Sequence, residues 1–86
     1  MDSVELLEEA MQAARRVGYE IREEWLGGSS GGACVVGGRK MLFLDLSLGP
    51  RQRLDQVLGG LRAEPKSAEI AMTTTLRRIL DARKAA

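Results

Sequence analysis

The residues able to do chemistry in this chain gather around one cysteine. The stretch GGSSGGACVVGG, residues 27–38, holds six of the ten glycines and the only cysteine, Cys34. A phosphate cradle needs such glycines directly ahead of a helix, where free backbone amides and the helix dipole face the anion. Here the β-prone run ACVV follows instead, and neither Gly-Lys-Ser nor Gly-Lys-Thr occurs in the chain. The glycines therefore read as a flexible connection that supplies positive φ and close strand approach.

Cys34 alternates with Val36 along that run, and a lone cysteine in a β-run behaves by default as a small buried hydrophobe. A nucleophilic thiol needs a neighbouring base or cation to form thiolate, and the chain contains no histidine. Arg39 and Lys40, across the next turn, are the available cations, so a thiol-dependent redox role for Cys34 stands as an alternative. Metal chemistry would rest on Glu20, Glu23, Glu24 and Asp45, which have no ligand-loop spacing, so neither a metal nor any other cofactor is expected. Asp45, between Leu44 and Leu46, is expected as an exposed edge residue or as a cap for the following turn rather than as a general base.

The net charge of +1 conceals a gradient from −3 over residues 1–46 to +4 over residues 47–86. The second half supplies Arg51, Arg53, Arg62, Lys66, Arg77, Arg78, Arg83 and Lys84, the basic surface that a nucleic-acid accessory role would use. Such binders show a larger basic excess and stacking aromatics, whereas Tyr19, Trp25 and Phe43 all lie in the acidic half. The run LRRILDARK is basic and amphipathic, as in solvated helices and partner-docking helices; it is short and lacks the aromatic anchor of a membrane-surface helix. No run approaches the roughly 18 apolar residues of a membrane span, and the acidic start MDSVELLEEA is unlike a signal peptide. One cysteine forms no internal disulfide. These features together lead to the expectation of a soluble cytoplasmic protein without membrane attachment.

The elements that must position these residues follow from periodicity. Val4, Leu7, Met11, Ala14 and Val17 recur at helical spacing, predicting a helix over about residues 4–17, with Ser3 as N-cap and Gly18 as its stop. The period then changes to two: Tyr19, Ile21 and Trp25 share one side of YEIREEWL, with Glu23 as an inward charge that discourages edge pairing. ACVV and MLFLDL flank GGRK and predict a tight hairpin. Met41 and Phe43 point to one face of the last strand and Leu42, Leu44 and Leu46 to the other, so this strand is expected to be buried on both sides, either by helices or by another chain.

Pro50 opens a second helix that carries Leu54, Val57, Leu58 and Leu61 and ends near Arg62. Its interior Gly59 and Gly60 are costly in a helix unless a neighbour approaches closely. Residues 68–72 are ambiguous between helix and extended chain. A threonine of TTT caps a final helix starting near Thr74 or Thr75, with Leu76, Ile79 and Leu80 as its apolar stripe.

The segment GGRKMLFLDLSLGPRQRLDQVLGGLR resembles a set of small bacterial proteins with a Gly-Gly-x-Cys hairpin, a GRK-like turn, a hydrophobic strand ending in Asp and an amphipathic helix. That likeness covers most of the chain and assigns no function. More weakly, GPRQRLDQVLGGLR is similar to the helix of ImmA/IrrE-type zinc metallopeptidases that carries His-Glu-x-x-His. Leu58 and Arg62 stand where the zinc-binding histidines would be, and Gly59 where the catalytic glutamate would be. The resemblance implies a shared layout of sheet followed by helix, kept for binding, and no peptidase activity.

The expected architecture is one α+β domain spanning residues 1–86: a three-stranded antiparallel meander with helices, in the order α-β-β-β-α-α. Its small core favours association. The expected function is a non-enzymatic protein-binding or adaptor module, self-associating as a homodimer, with Leu42, Leu44, Leu46, Leu76, Ile79 and Leu80 as interaction residues.

Overall fold

The computed structural model of the chain describes residues 2–27 and 31–82. Helix α1 runs Ser3–Arg16 and is capped by Asp2 rather than Ser3: the Asp2 carboxylate accepts the Glu5 amide at 2.9 Å. Arg15 and Arg16 occupy its last turn, favourable against the helix dipole. Gly18, at φ +103°, then turns the chain out of the helix in a conformation that side chains disfavour.

Three strands follow, β1 (Glu20–Glu24), β2 (Gly32–Val36) and β3 (Arg39–Asp45). The hairpin is as expected. Gly37 and Gly38 both have positive φ, the requirement of a two-residue turn that matches strand twist. The meander is not. The sheet order is β1-β3-β2, with β1 parallel to β3 and β2 antiparallel to it, so the sheet is mixed.

The physical reason lies in the composition of the strands. The central position buries both flanks of a strand, and it is taken by RKMLFLD, whose MLFL run supplies four consecutive large apolar side chains, rather than by the uncharged but smaller GACVV. Glu24 lies beside Asp45 and Gly32 beside Phe43, so the link from β1 to β2 has only to step over one end of β3, a distance of about 10 Å. The Leu46 amide donates to the Glu24 carbonyl at 2.9 Å and the Leu26 amide to Asp45 Oδ1 at 3.1 Å, fixing that crossing. Gly31 fits closely there. A Cβ on it would overlap the Gln56 side-chain amide and lie 3.1 Å from the Phe43 carbonyl oxygen.

Helix α2 (Pro50–Arg62) starts at the expected proline, and a 3-10 turn, Pro65–Ala68, leads to α3 (Thr74–Ala82). Residues 68–72 are thus neither a helix nor a strand beyond the end of that turn. Thr73 is the cap that TTT provides, its hydroxyl accepting the Leu76 amide at 3.2 Å. Leu42 and Leu44 of β3 are fully buried with Leu54, Val57, Leu58 and Leu61 of α2, Leu76 and Leu80 of α3, and the inner face of α1.

Helices therefore cover one face of the sheet, the Leu42–Leu44 face. Met41 and Phe43 lie outside that core cluster; Met41 is buried all the same, and Phe43 is half-buried. In cross-strand register Met41 lies between Glu20 and Cys34, whose side chains flank it on this second face. Two-sided burial of β3 thus arises within the protomer. Trp25 departs from its expected inward position: β1 ends at Glu24, and the indole is 76 % exposed. No helix among the described residues is long and apolar enough to cross a membrane.

Candidate interaction edge and adjoining cavity

Each edge of the sheet has a different character. β1 reads Glu20-Ile21-Arg22-Glu23-Glu24, and its charges protect it from pairing with another strand. Glu23, expected as an inward-pointing charge, is exposed on this edge strand. β2 has no charged residue. Cys34 is exposed, and Val35 and Val36 are 69 % and 54 % exposed, although β-branched side chains of this kind are ordinarily packed.

The phase of the hairpin decides which backbone groups are free. In a two-residue turn the flanking pair, Val36 with Arg39, exchanges both backbone hydrogen bonds. Alternation then turns the amides and carbonyls of Cys34 and Gly32 towards β3 and those of Ala33 and Val35 out to the open edge.

Ala33 and Val35, with Cys34 between them, also line a cavity of about 320 Å³ on the helical face, together with Tyr19, Lys40, Ala63 and Glu64. Its charged wall is internally compensated. Lys40 Nζ donates to the Glu64 carboxylate and, at 2.6 Å, to the Val17 carbonyl, and lies 4.7 Å from the centre of the Tyr19 ring. The hydrogen bond from Lys40, followed by that from the Lys66 amide, holds the Glu64 carboxyl below its ordinary range, against the opposing effect of desolvation. Tyr19 is fixed in turn by its hydroxyl, which donates to the Gly60 carbonyl at 2.8 Å. A Cβ at Gly60 would sit 3.2 Å from Leu42 Cδ1 and 3.5 Å from Tyr19 Cζ, so the expected close approach is real at this glycine. At Gly59 nothing lies within 4 Å.

The expected site residues are distributed differently from their sequence pattern. Leu42, Leu44, Leu76 and Leu80 are fully buried in the protomer's own core and present no surface to a partner. Leu46 and Ile79 are half-buried. Among the basic residues, Arg62 donates from Nε and Nη2 to the Leu80 and Ile79 carbonyls, each at 3.1 Å, and Arg77 donates to the Ser67 and Ile70 carbonyls at 3.1 and 2.9 Å. These two side chains fasten α3 to the rest of the fold. Arg53 is half-buried, and Arg51, Lys66 and Arg78 are exposed. Arg51 lies in the first turn of α2 and Lys66 in the 3-10 turn that follows that helix. Arg83 and Lys84 lie outside the described residues.

Cys34 is not the buried hydrophobe that its setting in the sequence suggests; it is exposed on an edge strand. The two cations expected to serve its thiol have carboxylate partners, Lys40 with Glu64 and Arg39 with Glu20 at 2.5 Å. Asp45 is fully buried rather than exposed. Its Oδ1 accepts the Ser47 amide at 2.9 Å, the Ser47 hydroxyl at 2.7 Å and the Leu26 amide, which makes it the expected cap of the turn after β3. Among the described residues no three acidic, histidine or cysteine side chains gather where a metal ion could be held.

Sequence reasoning missed the Lys40–Glu64–Tyr19 wall. Lys40 shares the face of Leu42 and Leu44, and a lysine in that register calls for a partner, but nothing in the sequence marks Glu64 as that partner. No protein-family model, curated protein or solved structure matches the chain.

Proposed function

We propose that this protein is a non-enzymatic binding module that takes an extended segment of a protein partner along β2. The observation that carries this reading is the uncharged edge strand with exposed Cys34, Val35 and Val36 beside an apolar-lined cavity. In strand addition, main-chain hydrogen bonds give affinity and a neighbouring pocket for alternate side chains gives selectivity. Ala33 and Val35 provide both parts, since their backbone groups face outwards and their side chains border the cavity. The paired Lys40 and Glu64 give its wall a polar spot without a net charge, which suits an apolar or neutral polar side chain.

The test is selection of extended peptides from a displayed random library, followed by amide hydrogen exchange on the complex. Bound peptides are expected to protect the Ala33 and Val35 amides and to lose affinity for the Val35→Lys variant, because an edge lysine opposes strand pairing. Failure to select any binder, or selection of binders indifferent to Val35→Lys, would contradict the reading.

A further inference from the structure

We infer that the segment β2 accepts is β2 of a second copy of this chain, paired antiparallel about a two-fold axis through Cys34. This rests on the edge reading above and names its partner. The charge pattern selects the partner: the uncharged edge of one copy meets an equally uncharged edge, whereas β1 offers Glu20, Arg22, Glu23 and Glu24.

The hydrogen-bond phase then fixes the register. Only Ala33 and Val35 turn backbone groups outwards, so the pairing that satisfies both sets Ala33 opposite the partner's Val35 and Val35 opposite the partner's Ala33. Four main-chain hydrogen bonds close, and no edge group within the paired segment is left over. On the helical face the bulky valine meets the small alanine at the mouth of the cavity, in place of two valines in collision. The two sheets join into one of six strands whose outer edges are both β1. Their charges stop further growth, so the assembly closes as a dimer instead of extending as a fibre.

In this register Cys34 faces the partner's Cys34 at a non-hydrogen-bonded position, where Cα atoms are about 4.5 Å apart, a separation a disulfide can bridge. That makes cysteine a reporter of register. In the presence of oxidised glutathione, two Cys34 thiols give up two protons and two electrons and form one disulfide, while one oxidised glutathione leaves as two glutathione thiols. Two copies of residue 36 would lie four residues apart along the pair, about 14 Å, and could not be bridged.

Sedimentation of the full chain across micromolar to submillimolar concentrations is expected to show a monomer–dimer equilibrium. Val35→Lys, at an exposed position, should weaken that dimer about tenfold or more. The wild-type chain should yield a Cys34-linked dimer under oxidised glutathione, and the Cys34→Ser, Val36→Cys double variant should not. A monomer at every concentration, a dimer indifferent to Val35→Lys, or cross-linking as efficient through residue 36 would each overturn self-pairing. Peptide selection separates the two readings: a monomer that still captures peptides along Ala33 and Val35 retains the binding edge and loses only the self-partner, whereas a monomer that captures none loses both.

Discussion

The Glu9 carboxylate holds Thr73 twice, across 64 residues of chain: Oε2 accepts the Thr73 amide and Oε1 its hydroxyl, both at 2.7 Å. Thr73 is also the cap of α3, so a side chain on the first helix positions the start of the last one. Arg16, near the end of α1, reinforces the same seam by donating to the Ala71 carbonyl at 2.7 Å. All three bonds are exposed, which limits their individual worth. Glu9→Ala is expected to cost about 1 kcal/mol in urea unfolding and to speed amide exchange through the first turn of α3. Unchanged exchange at Leu76 and Arg77 would show that the cap stands without Glu9.

The two adjacent glycines of α2 make opposite predictions. Gly60 is enclosed by Leu42, Tyr19 and Ala33, so Gly60→Ala overpacks the joint between helix and sheet and should cost about 1–3 kcal/mol. Gly59 is exposed, with open space around its Cα. Gly59→Ala should therefore stabilise the fold by about 0.5–1 kcal/mol through helix propensity alone. Thermal or urea unfolding of the two variants checks both signs, and destabilisation by both would contradict the packing described for Gly59.

Glu64 gives a pH dependence of known sign. Its carboxyl is held below the ordinary range, chiefly by the Lys40 hydrogen bond, so the folded state favours the ionised form. The resulting stabilisation is fully present above the unfolded glutamate value of about 4.3 and is lost as pH falls through the lower folded value. Glu64→Gln removes this dependence. The wild-type advantage over that variant in urea midpoint should be present at neutral pH and shrink as pH falls below about 4. An advantage that grew on acidification would contradict the assigned pairing.

Local structure was readable where local physics decides it. The period of three to four gave α1 and α2, Gly37-Gly38 gave the hairpin, Pro50 the start of α2 and a threonine the start of α3. Strand order was not readable, because it depends on a competition for the central slot between β2 and β3, which lie next to each other in the chain. That one error hid the candidate site: a meander places β2 in the middle, where Cys34 and its valines would be covered, whereas the actual order leaves them at the edge. The same reasoning explains why Leu42 and Leu44 looked like contact residues. Their alternation with Met41 and Phe43 signals two buried faces, and cross-strand neighbours together with one layer of helices are enough to bury both. Trp25 was misplaced because the alternation in YEIREEWL continues past the last residue that pairs with β3.

Residue-resolved amide exchange at Ala33 and Val35, followed as protein concentration is raised, tests the role of the β2 edge most directly. The account predicts fast exchange of these two amides in dilute solution and growing protection on association, with no change along β1. Association that leaves Ala33 and Val35 unprotected, or that protects β1 instead, would place the interface elsewhere and contradict it.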